Sequence, residues 1–254
     1  MSSHRKSPQT EKEIIHIPGC DTEGRRYTSV EDMWRHELRG DLYDSQSGWY
    51  GKSLNFWSKA PTTVSGVLGG MEHIHDVDIR YSHSFIVSLP DRGAARALDC
   101  GAGIGRITKA LLCNLYGVTD LLEPVQGMLE KAKEELQGLP VGEFILSSME
   151  SAKLPPNRYD LIVIQWCAIY LTDEHFVKFL AQCKTALTSK GYIFFKENCM
   201  SDDEFIVDKD DSSLTRPDKH YKQIFKAAGV ELVKEAVQSD WPSDLLPVKM
   251  YALR

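Results

Sequence analysis

The sequence predicts an α/β fold in a single domain: a seven-stranded, mostly parallel sheet with helices on both faces and a helical extension ahead of it. Three observations carry this expectation. Beyond residue 95, short apolar runs alternate with helical periodicity, the pattern of parallel strands joined by right-handed crossovers. The first of these runs ends in glycines at alternate positions, Gly101, Gly103 and Gly105, and leads directly into a helical pattern. Polar residues gather where the apolar runs stop, at Asp99, Glu123, Ser148-Met149-Glu150, Gln165-Trp166 and Glu197-Asn198. That is the edge of an open sheet at which ligands bind.

Composition sets the limits. A chain of 254 residues with 42% hydrophobic content can bury one good core. Its formal net charge of -6 argues against a surface that tracks nucleic-acid phosphates and suits a cationic partner better. Six cysteines without a C-x-x-C pair read as reduced thiols, which predicts a cytoplasmic or nuclear protein without structural disulfides. The start, Met-Ser-Ser-His-Arg-Lys-Ser-Pro, has no apolar core, and no apolar run approaches the length of a membrane span. A soluble monomer is expected.

In chain order, residues 1 to about 25 are polar and broken by Pro8, Pro18, Gly19 and Gly24, which predicts a poorly ordered arm. Helical spacing follows over Thr28–Arg39 and Ser45–Ser58, the second rich in aromatics: Trp49, Tyr50, Phe56 and Trp57. Such residues pack a core or form a lid over a ligand. Pro61 with Gly66, Gly69 and Gly70 ends this region, and another helix runs through Leu89. Strands are then expected near 95–100, 118–123, 143–147, 160–165, 191–197, 230–237 and 247–252, with helices near 105–115, 125–137, 173–187 and 217–228. Thr172 is the expected N-cap of the third of these helices, and Gly191 and Gly229 are expected to stop helices.

The glycine loop is the first candidate site. Glycines allow a sharp turn and close approach of a ligand, and the following helix presents free N–H groups and its positive end. A dinucleotide fingerprint requires glycine where Arg106 stands, so no pyrophosphate is implied. Glu123, about twenty positions downstream at the end of the next run, can accept ribose hydroxyls. His73 and His75, with Asp76 and Asp78 nearby, lack a matched third ligand and predict no metal site.

The spacing of Gly101, Gly103 and Gly105, preceded by Asp99 and followed by a strand-closing acid, resembles the S-adenosylmethionine loop of class I methyltransferases. More narrowly, the chain resembles the alpha-N-terminal protein methyltransferases, which act on the free amine of proteins that begin X-Pro-Lys. The matching stretches are Phe56-Trp57, Pro61 to Val64, Gly66 to Gly70, Ala97 to Thr108, Ile164-Gln165-Trp166 and Leu171-Thr172-Asp173. Lys196-Glu197-Asn198, Asp211-Ser212-Ser213 with Arg216, and the terminal Ala252-Leu253-Arg254 complete them. The resemblance implies a Rossmann-like methyltransferase domain at 56–254 behind an extension at 1–55. It implies S-adenosylmethionine as cofactor, with S-adenosylhomocysteine as product, surrounded by Gly101, Gly103, Arg106, Glu123, Pro124, Val125, Met149, Glu150 and Gln165. Arg106 would meet the methionyl carboxylate, and Met149 would lie along the adenine. Protein or peptide N-termini would be the substrate, contacted by Trp57, Trp166, Asn198, Asp208 and Ser213, with Asp211 and Tyr170 as catalytic residues. The chain departs from the family at Glu123 and Glu197, which replace Asp, at Tyr170, which replaces a histidine, and at Leu246, which replaces a tyrosine. A phenol with an ordinary pKa near 10 is a poor base, so either Asp211 accepts the proton alone or the site shifts the phenol strongly. Two other readings stay open at this stage: methylation of a small amine or other nucleophile, and a catalytically silent cofactor-binding interaction module.

Overall fold

The computed structural model describes residues 16–254, so the first fifteen residues of the expected arm lie outside the described residues. The rest of that arm is ordered structure, contrary to expectation. Gly19–Asp21 (β1) and Arg26–Tyr27 (β2) pair antiparallel, because the Asp21 carboxylate accepts the backbone N–H groups of Glu23 and Arg25 and closes the turn between them. Val30–Glu37 (α1) follows, capped by Ser29. Trp49–Lys59 (α2) stops before Pro61, and the boundary expected at residues 55 and 56 falls inside this helix. A single turn, Val64–Val67 (α3), and the longer His75–Val87 (α4) lead to the main sheet.

From there the alternation holds. Arg96–Cys100 (β3) is followed by a π-helical turn at Thr108–Leu112 and by Cys113–Leu115 (α5). Val118–Glu123 (β4), Gln126–Glu135 (α6), Val141–Leu146 (β5) and Tyr159–Gln165 (β6) come next. Asp173–Ala186 (α7) starts at Thr172, whose hydroxyl accepts the His175 N–H at 3.2 Å. Leu187–Asn198 (β7) absorbs Gly191, so that glycine is interior to a strand and stops no helix. Phe205–Asp208 (β8) and Ser213–Thr215 (β9) form a hairpin, followed by Asp218–Ala228 (α8), which Gly229 closes at φ +70°. Leu232–Val237 (β10) and Val248–Leu253 (β11) complete the chain.

The main sheet has the order β10-β11-β7-β6-β3-β4-β5, and only β11 runs against the rest. Strand order reverses at β3, since β4 and β5 extend to one side of it and β6 and β7 to the other. This is the switch point beyond which α/β sheets bind ligands. Both faces are covered, as the two-residue period of β7 illustrates. Phe195 packs with Phe176, Tyr221 and Tyr251 under α7 and α8, while its neighbour Phe194 packs with Phe85 of α4 on the opposite face. Each such fully buried side chain contributes about 1.5–3 kcal/mol.

A second sheet, ordered β2-β1-β8-β9, was not predicted. Its strands are two to four residues long and have no hydrophobic period to read. It joins residues before α1 to the loop that carries Asp211, β1 lying parallel to β8.

Candidate active site

At the end of β3 the backbone turns through Gly101 and Gly103 at φ +63° and +54°, conformations open to glycine at little cost. A Cβ on Gly101 would stand 2.6 Å from Cys167 Cβ, so this turn also packs too tightly for any side chain. Glu123 closes β4 beside it. Its two oxygens accept the N–H groups of Gly103 at 2.9 Å and Val125 at 2.8 Å, which aims the carboxyl along the glycine turn. Burial pushes Glu123 up to about 7 against the pull of those two donors. Asp99 underlies the same turn, accepts the Thr108 hydroxyl at 2.7 Å, and is raised by burial to about 6.

All the residues expected around a cofactor line one cavity at this edge: Gly101, Gly103, Arg106, Glu123, Pro124, Val125, Met149, Glu150 and Gln165. Val125, Met128, Met149 and Leu122 supply an apolar wall, and Glu123 supplies carboxylate lone pairs not used by its backbone donors. Those features fit the adenine and ribose of S-adenosylmethionine. The opposite wall is α2, with Tyr50, Ser53, Leu54 and Trp57. Of these only Trp57 was assigned a contact role from the sequence. The aromatic density of α2 was the available signal, and it serves as both core and wall, since Trp49 and Tyr50 are buried in the main core.

Arg106 also lines the cavity, but one edge of its guanidinium is committed to the protein. It donates to Asp78 Oδ2 at 2.7 Å and lies 3.2 Å from His75 Nδ1. Asp78, fully buried on α4, also accepts the Gln165 amide at 2.8 Å and the Lys196 ammonium. Burial alone would raise Asp78, and the two cations Lys196 and Arg106 outweigh it and hold the carboxyl below its ordinary value. This buried cluster was missed in sequence. Its signal was a lysine inside the apolar run of β7 and an aspartate on a helix face otherwise given to the core.

Toward the substrate side, the Tyr170 hydroxyl donates to Asp211 Oδ2 at 2.9 Å. Burial, then the neighbouring Asp211 charge, pushes the phenol well above 10, and burial raises Asp211 above the usual aspartate value. Asp211 Oδ1 is buried and without a partner. Trp57 stands edge-on to Tyr170 with ring centroids 6.1 Å apart. Trp166 sits at φ +54°, a strained state for a bulky residue. Its ring has the Arg106 guanidinium 5.6 Å to one side and Trp241 6.0 Å away.

Tyr170, Trp57 and Trp166 face the cavity itself, whereas Asp208, Asp211, Ser213 and Asn198 are outside its lining. Asp208 and Ser213 pair across the β8–β9 hairpin, and Ser212 at φ +55° makes the tight turn between Asp211 and Ser213. Asn198 ends β7, its carbonyl accepting the Tyr221 hydroxyl at 3.0 Å. Next to it Glu197 is fully buried, raised by that burial to about 8, with one oxygen unpartnered. Leu246 lies 39% exposed in the β10–β11 connection, its carbonyl accepting the Trp241 indole N–H. The arrangement therefore joins the cavity to Asp211 beyond its wall, with Tyr170 at the junction.

Comparison with known proteins agrees with this geometry. The family model described as AdoMet dependent proline di-methyltransferase matches residues 45–254. The Arabidopsis thaliana protein called alpha N-terminal protein methyltransferase 1 is 38% identical over 251 residues, which cover 93% of this chain and 91% of that one. The Mus musculus protein called N-terminal Xaa-Pro-Lys N-methyltransferase 1 is 36% identical, covering 85% of this chain and all of its own length. Among solved structures, a SAM-dependent methyltransferase from Leishmania major is 64% identical, with a TM-score of 0.94 over 98% of this chain and 100% of its own. The phosphoethanolamine N-methyltransferase 1 of Haemonchus contortus, 16% identical with a TM-score of 0.63, shares the fold.

Proposed function

The chain belongs to the AdoMet-dependent proline di-methyltransferase family, and from that premise we propose that it methylates the α-amine of polypeptides beginning Xaa-Pro-Lys or Xaa-Pro-Arg. It is an S-adenosylmethionine-dependent methyltransferase of Rossmann-like fold. When bound, S-adenosylmethionine supplies an electrophilic methyl on a sulfonium. Glu123 would take the ribose hydroxyls, the N–H groups of Arg106 not spent on Asp78 would take the methionyl carboxylate, and Val125, Met128 and Met149 would hold the adenine.

The remaining task is a proton. A free α-amine has an ordinary pKa of about 7.7–8.0, so at neutral pH most of it is an ammonium with no lone pair to attack. Asp211 answers that need. It faces the junction through Tyr170, has an oxygen without a partner, and is raised by burial above the usual aspartate value, which makes it a stronger proton acceptor. Tyr170 cannot share this task while its phenol is held above 10, and its donated hydrogen bond keeps the accepting oxygen oriented. Trp57 and Trp166 provide aromatic faces for the proline and the incoming cation. Asp208 supplies a carboxylate for the lysine or arginine of the substrate. Its unpaired cysteines suit a protein working in the cytoplasm or nucleus.

The observation that carries the reading is the Tyr170–Asp211 pair, set beside the cavity that holds the glycine turn and Glu123. The test is methyl transfer to a short Xaa-Pro-Lys peptide, free or N-acetylated. Transfer to the free peptide alone is expected; equal transfer to both would remove the α-amine as acceptor, and transfer to simple amines in preference to the peptide would replace the substrate class.

A further inference from the structure

The residues that hold the acidic loop in place come largely from the segment ahead of the family match. Lys209, two positions before Asp211, is secured at three points. Its ammonium pairs with Glu37 of α1, its N–H donates to the Thr22 hydroxyl at 3.1 Å, and its carbonyl accepts the Lys52 ammonium at 2.8 Å. Thr22 is itself fixed, donating its N–H to the Val207 carbonyl at 3.0 Å where β1 meets β8. Glu37 and Lys209 are 8% and 17% exposed at their side chains, so water screens their attraction little. Glu37 is braced in turn, with the Tyr27 hydroxyl 2.8 Å from Oε1 and His36 Nδ1 3.0 Å from the same oxygen; the Tyr27 hydroxyl also lies 2.8 Å from Asp21.

We infer that Glu37 is a positioning residue for methyl transfer: by clamping Lys209 it fixes the loop that presents Asp208 and Asp211 to the substrate, so that the segment from β1 to α1 belongs to the catalytic apparatus. A lysine amid four consecutive charged residues otherwise has no reason to be half-buried. An acidic loop of this kind carries Asp208, Asp210 and Asp211 within four positions, and their mutual repulsion favours a splayed loop unless its backbone is held. Glu37 draws the Lys209 ammonium toward α1, and the Lys209 N–H and carbonyl, held by Thr22 and Lys52, fix the loop beside it.

The inference rests on the N-terminal methyltransferase reading for its kinetic test and has one readout that does not. In Glu37→Gln, which keeps shape and removes charge, the KM for an Xaa-Pro-Lys peptide is expected to rise roughly tenfold or more, the usual range for losing a buried hydrogen bond to a charged group. The Kd for S-adenosylmethionine, measured by calorimetry, should stay within twofold, since Glu37 does not line the cavity. Lys209→Met should reproduce the effect, the double variant should be no worse than either single one, and Lys209→Arg should restore most of the loss. Independently of activity, amide hydrogen exchange in residues 208–213 should quicken in Glu37→Gln while β3 and β4 stay unchanged. Unaltered exchange in that loop overturns the clamp whatever the substrate proves to be. Unaltered peptide KM with quickened exchange overturns the link to catalysis, and a wild-type chain inactive on the peptide overturns the substrate reading alone.

Discussion

Removing one hydroxyl, in Tyr170→Phe, separates the two candidate proton acceptors. The hydroxyl donates to Asp211 at 2.9 Å and stabilises its charged form. A hydrogen bond to a charged group contributes about 1.5–3 kcal/mol, and one pKa unit corresponds to about 1.36 kcal/mol, so its loss should raise the Asp211 pKa by about 1–2 units. In the proposed mechanism Asp211 works deprotonated. A higher pKa therefore withdraws activity at the acidic end and leaves the alkaline plateau in place. In a profile of kcat/KM from pH 5.5 to 9.5 with a free Xaa-Pro-Lys peptide, the limb set by the substrate amine near its own pKa should not move. The lower limb should shift upward by the stated amount, and the variant should recover most of the wild-type rate above pH 9. A variant inactive at every pH, with cofactor affinity intact, would show that the phenol itself carries the proton and that Asp211 only assists it.

Further outcomes follow from the same geometry. Asp211→Asn should lower kcat by about 10²–10⁴, the usual contribution of a general base, with S-adenosylmethionine affinity by calorimetry nearly unchanged. Glu123 is raised to about 7 in the protein alone, and ribose hydroxyls would favour its charged form. Cofactor affinity should therefore weaken as pH falls from 8 to 6, and binding near pH 7 should release a fraction of a proton, read by calorimetry in buffers of different ionisation enthalpy; uptake of a proton would contradict the assignment. Glu197, raised by burial to about 8, contributes stability below its unfolded value and loses it as pH rises toward 8. Thermal melts of Glu197→Gln should consequently gain on wild type between pH 5 and pH 8, and a constant difference would refute it. Asp78→Asn leaves Lys196 and Arg106 without their shared carboxylate and should cost about 3–5 kcal/mol in chemical denaturation; a cost below about 1 kcal/mol would show that the pair is dispensable.

The large sheet was legible because each of its strands has enough residues to show its character. β6 is continuously apolar from Leu161 to Ile164, as a strand covered on both faces must be. Capping chemistry was equally local, so Thr172 and Gly229 were placed correctly while Gly191, a glycine with the same appearance, turned out to pack inside β7 against the Tyr159 carbonyl. What escaped depends on partners distant in sequence. Asp78 meets Lys196 across 118 positions, and neither residue alone reveals the other. Arg106 was expected to meet a ligand carboxylate, and its commitment to Asp78 has the same long-range origin. The short strands flanking α1 and the acidic loop are held by single side chains such as Asp21 and Thr22, and no periodicity announces them.

The small sheet also sets an order of events. Arg26 and Glu204 are joined through its edge although 178 positions separate them, whereas the nucleoside cavity is assembled mainly from residues 99–171 and α2. Closing so long a loop is entropically costly and cannot begin until nearly the whole chain is available. During synthesis, therefore, the residues that line the cavity are all made before β8, the strand that ties the acidic loop to β1.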